Sequence, residues 1–583
     1  MKWTKEQYEA ITSEGSDILV SAAAGSGKTA VLVERMIQKI LRKDNPIHID
    51  ELLVVTFTNA AAQEMKNRVG KALEKAMQDN PSSMHLKKQM SLLQQASITT
   101  LHSFCLDIVR KYAYLLDLDP QFRIADERET DLIKQEVMGE LLEAWYGLED
   151  AEEREQFFAV VDRFSGDRSD AAIEQLILSL YQFAIQHPWP DKWLEDVVNI
   201  YQIPQQWTET DLEWLTLAKR EIKQELIAIQ EDIQLAHQLA SQSDGPYLYL
   251  ETIELERTLV QTALDHMDLA EFSWEDLRKD VISQAFSRLS GKRVECDETI
   301  KEKVRSIRDG YKKRWENLKK NWFTRDLNRH VELIQELAPI VETLMSLVKQ
   351  FHHKYMEQKR AQALVDFSDL EHYCLQLLID RSSSATNIVP SSVACQLQQQ
   401  YKELLIDEYQ DINLVQETIL NVIRDDRGLG NKFMVGDVKQ SIYRFRHAEP
   451  SLFIEKFNAF SQSGSNGKRI DLAKNFRSRS DVLSGVNFIF KPLLSEELGE
   501  IDYDEDSFLV YGNTTYDEHP FKDPEPELLI IDRETIEREN TSDREDDELD
   551  LEKSQLEAKA YAKKIKHWIG QDGEEPLKIV DPN

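Results

Sequence analysis

Residues 22–29 read Ala22-Ala23-Ala24-Gly25-Ser26-Gly27-Lys28-Thr29. A short apolar run, DILV, precedes them, and an amphipathic stretch, VLVERMIQKIL, follows. Strand, glycine turn and helix in that order make the layout of a phosphate-binding loop. Glycines at 25 and 27 let backbone N–H groups turn toward phosphate oxygens at a helix N-terminus. Lys28 is then placed to reach the β- and γ-phosphates of a nucleotide triphosphate, and the Thr29 hydroxyl to hold Mg2+. Ala22 stands where the pattern has its first glycine. A plain glycine turn before a helix is the bland alternative, and the flanking strand and helix weigh against it.

A second apolar run, LLI, ends at Asp407-Glu408. Acids also favour helix starts. At the end of a buried strand, in a chain with a phosphate loop, they suit a different pair of tasks: Asp407 to bind Mg2+ and Glu408 to polarise an attacking water. A third run, FMV, ends at Gly436-Asp437, and Gln440 follows. A glutamine beside a γ-phosphate can sense whether that phosphate is present. The aromatic and arginine residues just after it, in SIYRFR, would move when it does.

Three segments suggest what such a site drives. Phe57, Thr58 and Asn59 follow the run LLVVT, His102 follows SITT, and Tyr443, Phe445 and Arg446 follow Gln440. In one parallel sheet these strand ends share an edge, so aromatic faces and small polar groups would line one groove. That is the chemistry of sequence-independent single-strand binding, where stacking contributes about 1–3 kcal/mol per base. Taken singly, each aromatic is better read as core. Beside a nucleotide site, the set is better read as a groove.

The elements that must position these residues follow a simple plan. Residues 1 to about 125 alternate β-type runs (DILVSA, LLVVTF, SITTLH) with helical segments, an α/β pattern with a parallel sheet. From about 126 to 360, Gly and Pro become rare and Leu and Ile recur at helical spacing, which predicts an all-α insertion. The β-type runs then return in KELLIDEYQ, NKFMVGDVKQ and PELLIIDRE. Residues 532–552 are strongly acidic and read as a solvated loop, followed by a helix in SQLEAKAYAKKIKHWI.

A chain of 583 residues is too long for one core and suggests three or four domains. Hydrophobic content of 41% with 30% charged residues describes a globular protein. The net charge of -34 argues against coating nucleic acid by bulk attraction, but leaves room for local basic clusters. The four cysteines are far apart, without the close spacing of a zinc or iron–sulfur site. With no signal peptide and no membrane-spanning apolar run, a reduced, cytoplasmic setting is expected.

In order, TKEQYEAI, AAAGSGKT, TFTNAAAQEM, TTLHSFC, LLIDEYQD, GDVKQSIYRFR and NFRS resemble the successive motifs of superfamily 1A DNA helicases of the UvrD/Rep/PcrA type. AAAGSGKTAVLVER, YLLDLDPQFRIADE, VDFSDLEHY and VGDVKQSIYRFRHAEPSLF resemble its AddA branch, the helicase–nuclease subunits. The resemblance spans nearly the whole chain and is weakest in the helical insertion. It implies a RecA-like motor domain from residues 1–125 and 361–446, a helical insertion at 126–360, and the start of a second RecA-like domain at 447–583. It implies an ATP-dependent translocase or helicase acting in double-strand-break repair and recombination. Such a motor uses ATP and Mg2+, acts on single-stranded and duplex DNA, and has for its partner an AddB-like subunit. By the same resemblance Gln7 reads the adenine edge, Phe476 stacks near the base, and Arg477 reaches the γ-phosphate. Lys28, Thr29, Asp407, Glu408 and Gln440 keep the roles given above, and Phe57, Thr58, Asn59, His102, Tyr443, Phe445 and Arg446 face single-stranded DNA.

Two departures matter. Ala30 stands where many relatives have an arginine against the adenine, so that stacking is absent. The fifth and sixth helicase motifs and the nuclease domain are not found before Asn583, so the chain resembles the N-terminal half of a longer protein and is expected to turn over ATP poorly alone. Rival readings are a nucleotide-gated DNA- or partner-binding module and a phosphate-loop small-molecule kinase.

One stretch of the insertion, residues 299–330, holds eleven Lys and Arg against four Asp and Glu. Tyr311, Trp315, Leu318 and Trp322 recur at helical spacing and predict one face. The bland reading is a buried apolar face with a solvated basic one; the functional reading is that Lys312, Lys313, Arg314, Lys319 and Lys320 touch duplex phosphates ahead of the motor.

Overall fold

A computed structural model describes residues 3–166, 169–269, 272–292, 295–425, 430–462, 464–505, 507–518, 527–531, 553–571 and 573. The chain forms two compact units: Met1–Ala125 with Ala363–Asn583, and Asp126–Gln362.

In the first unit, apolar runs bounded by glycine or acidic residues become the strands of a six-stranded parallel sheet. These are β1 (Asp17–Ala22), β2 (Leu52–Thr56), β3 (Ser97–Thr100), β6 (Glu403–Ile406), β7 (Lys432–Gly436) and β8 (Gly467–Leu472). Their order is β3-β2-β6-β7-β1-β8. Every residue of β2, β6 and β7 is buried, as expected of a parallel sheet covered by helices. The helices Lys28–Ile40 and Asn59–Asp79 lay Val31, Leu32, Met36, Met65, Val69 and Leu73 against Val20, Val54, Leu405 and Val435. The register runs Val54↔Ile98, Val54↔Leu405, Ile406↔Met434 and Val20↔Val435. Because all pairs are parallel, the C-terminal ends lie along one edge. The sheet also takes in β8, a strand beyond residue 446.

A two-stranded ribbon, β4 (Arg123–Ile124) against β5 (Leu364–Val365), pairs the residues on either side of the insertion. After β8, β9 (Lys474–Asn475) pairs in parallel with β10 (Val510–Tyr511), and the helices Ser480–Leu493 and Lys553–Trp568 follow. Of the β-type run PELLIIDRE, the described residues 527–531 have no regular structure, and Leu528, Leu529 and Ile530 are exposed. An apolar run becomes a strand only against a neighbour, and no strand pairs with it among the described residues. The acidic stretch 532–552 lies outside the described residues.

The second unit is helical. Long helices at Glu213–Ala240, Leu250–Met267 and Glu298–Leu318 close around Ile222, Leu226, Ile229, Ile233, Ile253 and Val260. Tyr311, Trp315 and Leu318 are buried in this core, and Trp322 packs at its margin. A single π turn, Lys319–Phe323, shifts the helical register so that Phe323 enters the core. The aromatic face is therefore the buried side of an amphipathic helix. Buried Glu256 anchors it, accepting from Tyr311 Oη at 2.6 Å and pairing with Arg308. No described helix is long and apolar enough to cross a membrane.

Candidate nucleotide and nucleic acid sites

Strand β1 delivers the phosphate loop to the middle of the sheet edge. Ala22, Ala23 and Ser26 are buried, and Ala24, Gly25, Gly27, Lys28 and Thr29 half-buried. Gly25 and Gly27 have φ of 68° and 87°, which favours glycine. Gly25 is also needed for space, since a Cβ there would lie 2.8 Å from Arg477 Cβ and 2.9 Å from Asn475 Nδ2. The NFRS segment closes on the loop through two hydrogen bonds and is braced by a third within itself. Phe476 N–H donates to Gly25 O (2.9 Å), Asn475 Nδ2 donates to Ala24 O (2.7 Å), and Asn475 Oδ1 accepts from Arg477 N–H (2.8 Å). Arg477 is thus held beside the loop, exposed and without an ion-pair partner among the described residues. Sequence reasoning passed over Asn475, whose buried amide makes this junction.

Next to the loop is a cavity of about 220 Å³, lined by Thr4, Glu6, Gln7, Ser26, Lys474 and Phe476 among others. Gln7 is placed there by a capping box at the start of the helix Lys5–Thr12: its Oε1 accepts from Thr4 N–H at 3.0 Å, and its Nε2 donates to Ser26 O at 2.9 Å. A primary amide has two donor hydrogens and two lone pairs, so each end keeps one for a ligand. An apolar ring beside a polar amide suits a purine base.

Lys28 Nζ sits 3.3 Å from Glu408 Oε2. Glu408 has φ of 52°, a left-handed conformation that a non-glycine residue adopts at a cost of order 1–3 kcal/mol. Burial, then the Glu408 charge, pushes Asp407 up to about 6 against the pull of Lys28. The same two causes bring Asp411 up to about 6, against its hydrogen bond from Gln410. Three carboxylates around one lysine call for more positive charge. Ser26 Oγ and Asp411 Oδ1 are buried without hydrogen-bond partners. This donor set fits Mg2+, which takes one or two carboxylates together with substrate phosphates rather than an all-protein cage. No ready-made cluster of three or more His, Cys, Asp or Glu ligands occurs among the described residues.

Gln440 is turned onto Asp437, donating from Nε2 to Oδ2 at 2.7 Å. The two strand ends are joined by Gln410, buried between them: it donates to Glu408 (3.0 Å) and Asp411 (3.1 Å) and accepts from Asp437 N–H (3.0 Å). Lys28, Glu408, Gln410, Asp437 and Gln440 therefore form one continuous chain of contacts.

On the other flank, Phe57 after β2 stacks on Tyr443, with ring centroids 4.6 Å apart and planes at 29°. Phe445 lies 5.9 Å from Tyr443, and Arg446 lies over both rings at 5.4 and 5.7 Å. Phe57 is 37% and Phe445 73% exposed, so neither is a core residue. The polar members are engaged differently. Thr58 caps the helix Asn59–Asp79, accepting from Ala61 N–H, and Asn59 Oδ1 accepts from Thr100 Oγ1 at 3.4 Å. His102 is not grouped with the rings. It pairs with buried Glu371 at 3.1 Å and meets the edge of Phe367. Burial opposes its protonation, but the Glu371 hydrogen bond and charge outweigh that and raise it above the usual histidine value. Glu371 also accepts from Asn413 and Gln416. Its place on a helix face carried no separate signal in the sequence.

In the second unit, Arg314 is committed to Glu225 (3.0 Å) and Asp232 (3.2 Å), and Lys319 donates to Gln284 O (3.0 Å). Of the five basic residues read as phosphate contacts, these two hold the unit's own helices together. Lys313 and Lys320 are exposed and Lys312 half-buried.

Residues 3–461 match the family described as UvrD/REP helicase N-terminal domain. The chain is 57% identical over 582 residues to an ATP-dependent helicase/nuclease subunit of Oceanobacillus iheyensis, covering 100% of this chain and 46% of that protein. It is 47% identical over 576 residues to the Geobacillus thermodenitrificans protein of the same name, covering 98% and 45%, and 45% identical to that of Bacillus cereus, covering 97% and 45%. The chain thus spans less than half the length of the curated relatives it matches. The match extends through the strands of the sheet up to the helix that precedes β8 and takes in the phosphate loop, the acids after β6 and the aromatic segment after β7, and it makes this chain a member of the UvrD/REP helicase family.

Proposed function

We propose that this chain is the ATP-binding, single-strand-tracking part of an AddA-type helicase–nuclease. In this reading it works on DNA ends in double-strand-break repair, beside an AddB-like subunit. Gln7 and Phe476 hold the base, and the loop 22–29 the phosphates. Thr29 and Asp407 hold Mg2+, which when bound offsets phosphate charge. Glu408 orients water, Arg477 approaches from the segment after β8, and Gln440 senses the γ-phosphate. Phe57, Tyr443, Phe445 and Arg446 present stacking faces to unpaired bases, with Thr58, Asn59 and His102 at the margin of that surface. Residues 126–362 serve as the accessory helical domain, and the chain after β8 begins a second motor domain.

The observation that carries this reading is the continuous contact chain from Lys28 to Gln440 at one sheet edge, ending three residues before the exposed Phe57–Tyr443 stack. A small-molecule kinase has no use for that stack. ATP turnover measured with and without oligothymidylate tests the proposal. Strong stimulation supports a motor and overturns the expectation of poor turnover by this chain alone, slight stimulation supports a nucleotide-gated binding module, and no stimulation with no single-strand binding overturns both.

A further inference from the structure

We propose that Gln410 is the positioning residue that transmits the state of the nucleotide site to the strand-binding segment. The inference rests on the function proposed above and names the part of the site that does the coupling. Gln410 is 1% exposed, so its amide cannot exchange protein partners for water. Nε2 donates to Glu408 and Asp411 after β6, Oε1 accepts from Asp437 N–H after β7, and the backbone carbonyl accepts from Ser441 Oγ at 3.4 Å. A Cβ at Gly436 would lie 2.4 Å from Oε1, so the second strand end is shaped to admit this side chain.

Only a side chain that both donates and accepts can satisfy a carboxylate on one loop and a backbone N–H on the next. Glu408 shares its Oε2 between Lys28 and Gln410. Any change that draws Lys28 away leaves Glu408 more dependent on the Gln410 amide, and the other end of that amide holds the residue on which Gln440 rests. Asp437 is three residues before Gln440 and six before Tyr443. Buried polar groups of this kind are held in discrete arrangements rather than continuous ones, which is what a relay between two sites needs.

The test compares the wild-type 583-residue chain with Gln410→Met, an apolar side chain of similar length. The affinity for a fluorescent oligothymidylate is measured with and without saturating Mg2+ and a non-hydrolysable ATP analogue. Wild type should show an affinity ratio in the ordinary coupling range of about 5- to 150-fold. Gln410→Met should bind each ligand alone within about threefold of wild type while its ratio falls to within about twofold of one. A loss of folded protein alone would lower both affinities and leave the ratio unchanged. An unchanged ratio in a cooperatively unfolding Gln410→Met overturns the role of Gln410 and leaves the proposed function standing. A ratio of one in wild type overturns both. If Gln410→Met does not fold, Gln410→Glu decides by the same ratio, since it keeps the shape but sets a carboxylate against Glu408 and Asp411.

Discussion

Around Lys28, polar side chains are turned onto one another. Glu408, Asp411, Gln410, Asp437 and Gln440 satisfy each other across the ends of β6 and β7, and Asp407 and Asp411 hold protons more tightly than free aspartates do. Around Phe57, on the same sheet edge, the faces are aromatic and open to solvent, and they stack on each other. The first flank is charge-crowded and rigid, which suits a compact anion with its cation. The second offers flat apolar area without donors aimed at any one base, which suits a polymer read without regard to sequence. Strand order explains how one sheet holds both: β2 brings Phe57 to the open flank and β1 the phosphate loop to the crowded one, and the loops after β6 and β7, which lie between them, carry the polar side chains and the Tyr443 ring that link the two.

The contrast breaks most sharply at Lys28. Lys28→Ala removes the ammonium from the phosphate loop and leaves Glu408 without its ion pair. A hydrogen bond to a charged group is worth about 1.5–3 kcal/mol, so loss of the lysine–phosphate contact should lower nucleotide affinity by roughly 10-fold or more. Binding of oligothymidylate without nucleotide should not change. Titration calorimetry with each ligand checks both halves, and a parallel loss of strand binding would show that the flanks are not separable.

Asp407 sharpens the comparison from the side of stability. Its folded pKa of about 6 lies above the ordinary aspartate value of 3.8. The folded state therefore binds this proton more tightly than the unfolded chain does. The stabilising effect of protonation is present below about pH 4, declines between 4 and 6, and is absent above 6. At about 1.4 kcal/mol per pH unit, the ionised group costs roughly 3 kcal/mol at pH 7. Asp407→Asn should stabilise the ligand-free chain by up to that amount at pH 7 and by little at pH 4, while losing Mg2+-dependent nucleotide binding. Urea unfolding at the two pH values measures it. Equal shifts at both would mean that Asp407 is not a strained carboxylate.

On the open flank the effects are smaller. Phe57→Ala and Phe445→Ala should each weaken oligothymidylate binding by about 1–3 kcal/mol, the worth of one stacked base, with nucleotide affinity unchanged. Fluorescence anisotropy reads this directly. Loss confined to one of the two would mark the other as a surface ring without a base.

The two flanks were not equally legible. The phosphate loop, the acids after β6 and the glutamine after β7 announce themselves because each interrupts an apolar run at a strand end, where a buried sheet meets solvent. Phe57 and Tyr443 could be placed on one edge from the same logic, although nothing in the sequence specified that they stack. Gln410 and Asn475 stood in quoted motifs without attracting notice, since a glutamine or asparagine between stronger signals has no periodicity and its value lies in partners distant along the chain. His102 was grouped with the strand-binding set by its position after β3, but its partner Glu371 is set by helix packing that no local pattern reveals. The run at 528–530 misled for a related reason: apolarity describes a segment, whereas a strand also needs a neighbour.

The helix Glu298–Leu318 and its π turn offer the smallest test. The aromatic spacing foretold one face, which the structure buries, and says nothing about which basic side chains are free. Arg314 belongs to a structural triad with Glu225 and Asp232, whereas Lys313 and Lys320 point into solvent. If the exposed pair touches duplex phosphates, Lys313→Glu with Lys320→Glu should lower duplex affinity and make the slope of log K against log salt shallower by about 2, one contact contributing about 0.9. Thermal stability should stay near wild type, because neither lysine has an ion-pair partner among the described residues. Arg314→Glu should do the reverse, lowering stability by repelling Glu225 and Asp232 with little direct effect on the slope. An unchanged slope in the double-lysine variant would assign the whole basic face to solvation, and leave the open flank of the sheet as the strand-binding surface for which the observed geometry argues.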